Sequence, residues 1–292
     1  MRKVTLVLAL LVAGASLLLS SDCAGRSFFR RNPHLRLILT ERPRGSGRAR
    51  SLYYPVWSPD GSAIYYLCTS DRTQLWSGGS LWRVASDGAD PESLASGPFC
   101  AVTVARDGQR LVLCTGRRAA GGRLAVLDLA SRRMETLETS QSDLIDLAVG
   151  RADPTRVYYC SMSRGLYRIS MDGSGETLWD AQVTWHFDLT PTDSVVTKSN
   201  IIKVSVSPDG QRIAYPGVIE DCAENDLFVA TVDSTATTRL DANPYEWSQN
   251  SFPSWSPDGK KLIFSAQELL PGDPTIPAEA ELWILEELPG AH

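Results

Sequence analysis

The chain has 292 residues, 43% of them hydrophobic and 22% charged, with a formal net charge of −5. That much apolar material excludes a disordered or low-complexity chain, and the acidic balance argues against a dedicated nucleic-acid binder. Six cysteines without a Cys-x-x-Cys spacing argue against a cysteine-held metal centre.

The first residues differ in kind from the rest. Met1-Arg2-Lys3 leads into an unbroken apolar or small-residue run from Val4 to Leu19, then Ser20-Ser21-Asp22-Cys23-Ala24-Gly25. A basic start, an apolar middle and a small-residue exit read as a signal peptide over residues 1–25. The run is shorter than the roughly 20 apolar residues that a spanning helix needs. Cys23 stands where a lipoprotein carries its lipidated cysteine, although Asp22 occupies a place that ordinarily holds Gly, Ala or Ser. The expectation is an exported protein, periplasmic or on the cell surface, with no membrane contact except through a lipid on Cys23.

A β segment, Leu35 to Thr40, comes next, followed by a basic stretch with Arg42, Arg44, Arg48 and Arg50. From there one script recurs about every fifty residues. An inward-reading strand is followed by a Ser-Pro-Asp-Gly-type turn, a β-rich strand, and a strand that opens Leu-aromatic. The turn is clearest at Trp57-Ser58-Pro59-Asp60-Gly61, Val206-Ser207-Pro208-Asp209-Gly210 and Trp255-Ser256-Pro257-Asp258-Gly259. Ala105-Arg106-Asp107-Gly108 and Arg151-Ala152-Asp153-Pro154 are weaker copies. Proline pre-sets φ at the first corner, Ser and Asp bond nearby amides, and Gly takes the positive φ that closes the hairpin. The second strands are Ile64-Tyr65-Tyr66, Leu111-Val112-Leu113, Val157-Tyr158-Tyr159, Ile213-Ala214-Tyr215 and Leu262-Ile263-Phe264. The third begin at Leu81-Trp82, Leu124-Ala125, Leu166-Tyr167, Leu227-Phe228 and Leu282-Trp283, with Trp82, Tyr167, Phe228 and Trp283 expected in the core. Short fourth strands follow near Leu94, Leu137, Leu178 and Leu240.

This spacing, with four short strands per unit and no helical period, predicts an all-β propeller over residues 34–288. The fifth repeat runs out into Pro289-Gly290 without a fourth strand. Leu35 to Thr40 is therefore expected to supply it and close the last blade, which removes an exposed edge. The count is five blades, or six if the long stretch from Asp180 to Asn200 hides an irregular unit.

The Ser-Pro-Asp-Gly turn with its strands resembles the WD40-like (PD40) repeats of TolB-type propellers. Thr237-Thr238-Arg239-Leu240 leading to Phe252-Pro253-Ser254-Trp255-Ser256-Pro257-Asp258-Gly259 is the nearest match. The resemblance implies a cell-envelope propeller. TolB itself has a preceding α/β domain, for which this chain leaves no room, and six blades.

Five cysteines remain after Cys23. Cys114 and Cys160 fall at matching places in second strands and read as buried filler. Cys68 and Cys100 are expected near one rim and form the candidate disulfide; Cys222 is the fifth. There is no Gly-x-Ser-x-Gly elbow and no phosphate-cradling glycine motif, so no catalytic residue, cofactor or metal is assigned. The enzyme alternative is a glycosidase- or lyase-like propeller using Asp146 with Glu220 or Asp221. Along the innermost strands Asp146 and Lys203 are the only charges and would pair across the channel. Loops between second and third strands, and between repeats, share one face. That face is expected to carry Trp76, Trp185, His186, Phe187, Tyr245 and Trp247 as aromatic anchors for a protein or cell-wall partner. The reading is a monomeric, non-catalytic binding or scaffold protein.

Overall fold

The computed structural model describes residues 31–40, 50–70, 78–117, 120–183, 186–198, 203–218, 225–232, 236–245, 248–269 and 277–288. Among them every regular element is a β-strand. β1 (Leu35–Leu39) is followed by a first module of β2 (Ser51–Trp57), β3 (Ala63–Thr69), β4 (Gly79–Ala85) and the opening of β5 (Glu92–Val104). The second module takes the rest of β5 with β6 (Arg110–Arg117), β7 (Ala120–Asp128) and β8 (Met134–Leu137). The third is β9 (Leu144–Val149), β10 (Arg156–Ser161), β11 (Gly165–Ser170) and β12 (Thr177–Asp180). A lone hairpin, β13 (Phe187–Leu189) and β14 (Val195–Thr197), comes before the fourth module. That module is β15 (Ser205–Val206), β16 (Arg212–Val218), β17 (Asn225–Thr231) and β18 (Thr237–Arg239). The fifth is β19 (Ser248–Trp255), β20 (Leu262–Leu269) and β21 (Pro277–Leu285).

Within each module the strands pair antiparallel in sequence order. β1 pairs with β21, placing Leu35 opposite Leu285 and Leu37 opposite Trp283, so the chain's early strand lies on the outer edge of the fifth module. First strands of successive modules pack side by side: β2 on β5, β5 on β9, β9 on β13, β13 on β15, β15 on β19, and β19 on β2.

The turns form as their residues dictate. In the first, Ser58 Oγ donates to Asp60 Oδ1 at 2.6 Å and accepts from the Ala63 amide at 2.9 Å, while Gly61 takes φ 72°. Ser207 with Asp209 and Ser256 with Asp258 repeat the bond, each at 2.5 Å. Each turn also leans on its neighbour. Pro257 lies beside Gly61, Pro59 beside Gly108, Pro208 beside Gly259 and Pro191 beside Gly210. At Gly210 a methyl group would stand 2.3 Å from Pro191 Cδ, so only glycine fits there.

Between Ala181 and Lys198 the described residues hold the β13–β14 hairpin alone. Thr190 and Ser194 close a sixth turn through Thr190 N to Ser194 O at 3.0 Å, with Pro191 in the place of the recurring Pro and Asp193, at φ 59°, in the place of the Gly. Its sequence is too short for a third and fourth strand: only residues 198–202 separate Thr197 from Lys203.

Second and third strands meet through aromatic cross-strand pairs, Tyr66 with Trp82, Tyr159 with Tyr167, Tyr215 with Phe228 and Phe264 with Trp283. Tyr159 and Tyr167 stack at 5.3 Å and Tyr215 and Phe228 at 6.0 Å, a geometry that adds to simple area burial. Cys114 and Cys160 are fully buried, as filler should be.

The Cys68–Cys100 disulfide does not form. Cys68 packs with Ile64, Tyr66 and Val84, whereas Cys100 packs with Tyr53, Phe99 and Ala101. Tyr53 stands beside both thiols and bonds the Phe99 carbonyl at 3.4 Å. Cys100 Sγ donates instead to the Cys114 carbonyl at 3.6 Å.

Candidate functional site, an axial funnel over a buried ion cluster

The first strands of all five modules and the hairpin converge on one cavity of about 450 Å³. Its wall includes Val102 and Thr103 of β5, Leu147 and Ala148 of β9, Asp188 of β13, Val206 of β15 and Ser254 of β19. The mouth is rimmed by the turns, with Pro59, Pro191, Pro208 and Pro257 from four of them. At the other two, the weak copies of the turn, the prolines give way to Arg106 and Arg151. Arg106 Nη1 donates to the Arg151 carbonyl at 2.9 Å. Arg151 reaches over the hairpin to the fourth module, donating to the Ser207 and Val206 carbonyls at 3.0 and 2.8 Å and pairing with Asp188 at 3.4 Å.

The inner end of the cavity is floored by Tyr54, Lys203 and Phe252. Tyr54 and Phe252 hold the same place in β2 and β19. Each has positive φ, 57° and 52°, each precedes a proline, and each sits where the strand register slips. Such a backbone costs about 1–3 kcal/mol per residue and persists where surrounding structure enforces it. The two bulges turn the rings inward to within 5.0 Å of each other.

Behind this floor lies Asp146, fully buried on β9. Its Oδ1 accepts from Lys203 Nζ at 2.8 Å, from the Tyr54 hydroxyl, and from the Leu147 amide at 2.9 Å. Its Oδ2 meets His186 Nδ1 at 2.9 Å and the Phe187 amide at 3.4 Å. Lys203 Nζ also reaches Tyr54 Oη at 3.2 Å. Burial alone would push this carboxyl up, but Lys203 and His186 outweigh it and hold it well below the ordinary carboxylate range. Asp146 thus ties together groups from four separate stretches of the chain.

The expected pairing of Asp146 with Lys203 is present. The expected aromatic face is not where its described members lie. His186 and Phe187 are buried, at 1% and 0% exposure, against Asp146 and the third module. Tyr245 donates its hydroxyl to buried Glu281 and meets Trp283 edge-on at 6.1 Å, so it too is packing. Trp76, Trp185 and Trp247 lie outside the described residues, as do Cys23, Cys222, Glu220, Asp221 and residues 1–30. The cavity opens instead on the side of the Ser-Pro-Asp-Gly turns. The sequence signal that would have found this is the replacement of Pro by Arg at one turn position in the two weak copies. A second groove of about 580 Å³ runs between the first two turns past Arg83 and Arg132, but Glu92 already engages Arg132 at 2.5 Å there. Among the described residues no group of three His, Cys, Asp or Glu side chains gathers as a metal site, and no helix is long and apolar enough to cross a membrane.

No protein-family model matches the chain, and no curated protein matches it. Solved structures do resemble it. TolB from Acinetobacter baumannii is 14% identical over 81% of this chain and 55% of its own, with a TM-score of 0.43. The putative TolB from Agrobacterium tumefaciens is 19% identical over 74% and 70%, with a TM-score of 0.38. An oligogalacturonate lyase from Vibrio parahaemolyticus is 10% identical over 86% and 96%, with a TM-score of 0.49. This chain thus spans about half the length of the first of them, and its architecture is read from its own strand order and register.

Proposed function

We propose that the five modules and the reduced hairpin close a six-position propeller, latched by β1, and that the protein is an exported, non-catalytic binding propeller of the cell envelope. Its partner, a protein or cell-wall component, enters the axial funnel from the turn side. The observation that carries this reading is the funnel itself: a cavity walled by every first strand, rimmed by prolines and two arginines, and floored by an ion cluster in which Asp146, Lys203, His186 and Tyr54 bond one another. The side-by-side packing of β2 with β5 and β19, and of β13 with β9 and β15, supports the ring.

A carbohydrate-hydrolysing propeller would need two carboxylates converging on a bound sugar, one free to give or take a proton, and a lyase a free base beside the sugar's C5 proton. Asp146 is committed to Lys203, His186 and Tyr54, and Asp188 accepts from Arg151 and from the Val206 amide at 2.7 Å. Prolonged incubation with oligogalacturonate is accordingly expected to leave it intact; appearance of unsaturated or newly reducing ends would overturn the non-catalytic reading. The binding reading is tested by affinity capture from envelope extracts. Ser254→Trp, which fills the funnel wall, is expected to abolish recovery of the partner. Equal recovery by the folded variant would refute the funnel as the site.

A further inference from the structure

We propose that the reduced hairpin is a docking site for an extended, acidic strand from a partner protein, which adds to the open edge of β14 and takes the place of the module's missing third strand. This site is separate from the axial funnel, and the two stand or fall independently.

The argument begins with strand count. In all five full modules the second strand is paired on both sides. β14 occupies that same second place, yet among the described residues it pairs with β13 alone. Five residues between Thr197 and Lys203 cannot supply two more strands. An unpaired second strand presents a row of amide and carbonyl groups at a sheet edge, which is the template for strand addition.

The side chains flanking that edge alternate between two walls. Phe187, Leu189 and Val195 face the third module and pack against Tyr158. Val196 faces the fourth module and packs against the cluster of Val204, Val206, Ile213 and Tyr215. Farther out along the first wall stands Trp179 on β12, with its ring edge-on to Tyr158 at 5.9 Å. Trp179 is 45% exposed and its neighbour Leu178 52%, unusual values for large apolar side chains in this molecule. In a full module the third and fourth strands would lie across this wall.

Each wall also carries a cation parked on an aromatic ring. Arg168 lies over Trp179 at 4.3 Å, and Lys198 Nζ lies 3.7 Å above Tyr215. No carboxylate pairs with either of them among the described residues, although the chain carries 34 acidic side chains. A strand added to β14 would direct alternate side chains to the two walls, so acidic residues on it meet Arg168 on one side and Lys198 on the other. The chain's own third strands, which begin Leu-aromatic, indicate that apolar residues fill the rest.

The test uses the full-length protein and two labelled, capped octapeptides, Val-Val-Glu-Glu-Val-Val-Glu-Glu and its counterpart with Lys for Glu, each of which presents charges to both walls, followed by fluorescence anisotropy. Saturable binding of the Glu peptide alone is expected, against the direction of the protein's overall negative charge. Lys198→Glu and Arg168→Glu should each weaken it about tenfold, and hydrogen exchange at Val195–Thr197 should slow when the peptide is added. Lys198→Gln, a milder change on a half-exposed side chain, keeps the test interpretable if a charge reversal impairs folding. Binding of both peptides alike, binding indifferent to Lys198, or no binding at all would overturn the proposal. Binding lost on Ser254→Trp but kept in Lys198→Glu would assign the peptide to the funnel and equally overturn it.

Discussion

Asp146 shows how one side chain is forced into a single role by what surrounds it. Removing it leaves Lys203, largely buried at the cavity floor, without its counter-ion, and a poorly compensated buried charge is costly. Asp146→Asn is expected to lower stability by about 3–5 kcal/mol in urea denaturation, and adding Lys203→Met should restore part of that loss. Tyr54→Phe, which removes one donor to the carboxylate, should cost about 1.5–3 kcal/mol. The pH dependence has a definite sign. Because Asp146 is held below its unfolded value, the unfolded chain takes up a proton first as pH falls through about 4. Stability is therefore fully present above that point and declines on acidification until Asp146 itself protonates. Asp60, held down to about 2 by the Ser58 hydroxyl and the Ser62 amide, acts in the same direction. Melting temperature measured from pH 6 to pH 2 should fall less steeply in Asp146→Asn than in the parent.

At the level of elements, the strands and turns were legible because each is written locally. Pro59, Asp60 and Gly61 define a turn whatever surrounds them, and Tyr215 and Phe228 announce a paired second and third strand by their spacing alone. The latch was legible too, since a fifth module lacking a strand and a spare β segment before the first repeat are both visible in the chain. The hairpin β13–β14 was not, because its Thr190-Pro191-Thr192-Asp193 turn lacks the glycine and its strands are three residues each. What holds it is distant in sequence. Asp193 accepts from the Arg151, Ala152 and Asp153 amides at 2.5, 3.0 and 3.2 Å, and Arg151 spans to the fourth module. Asp193→Ala should therefore destabilise the protein by about 2–3 kcal/mol, with the loss of exchange protection concentrated around residues 150–153 and 187–197. Deleting the chain through Thr40 should uncover the outer edge of β21, lower the melting temperature and produce concentration-dependent association in sedimentation velocity.

The whole molecule resists reading from sequence for a different reason. Which end of the channel is open depends on side chains from separate modules meeting at the axis, and no local pattern encodes such a meeting. His186 and Phe187 look exposed in a polar stretch, yet both are drawn inward by Asp146, forty residues away. The site and its floor emerge only when Tyr54, Asp146, His186 and Lys203 are brought together from four separate stretches of the chain. This makes the cluster a tie between units that otherwise touch mainly their immediate neighbours.

β5 has a further consequence. Its thirteen residues serve as the outer strand of one module and the inner strand of the next without a break. No hinge exists at which those two units can part, so heat or force must melt them as one block. Pulling on the chain from its start should give a single rip spanning residues 51 to 137, twice the length of any other step.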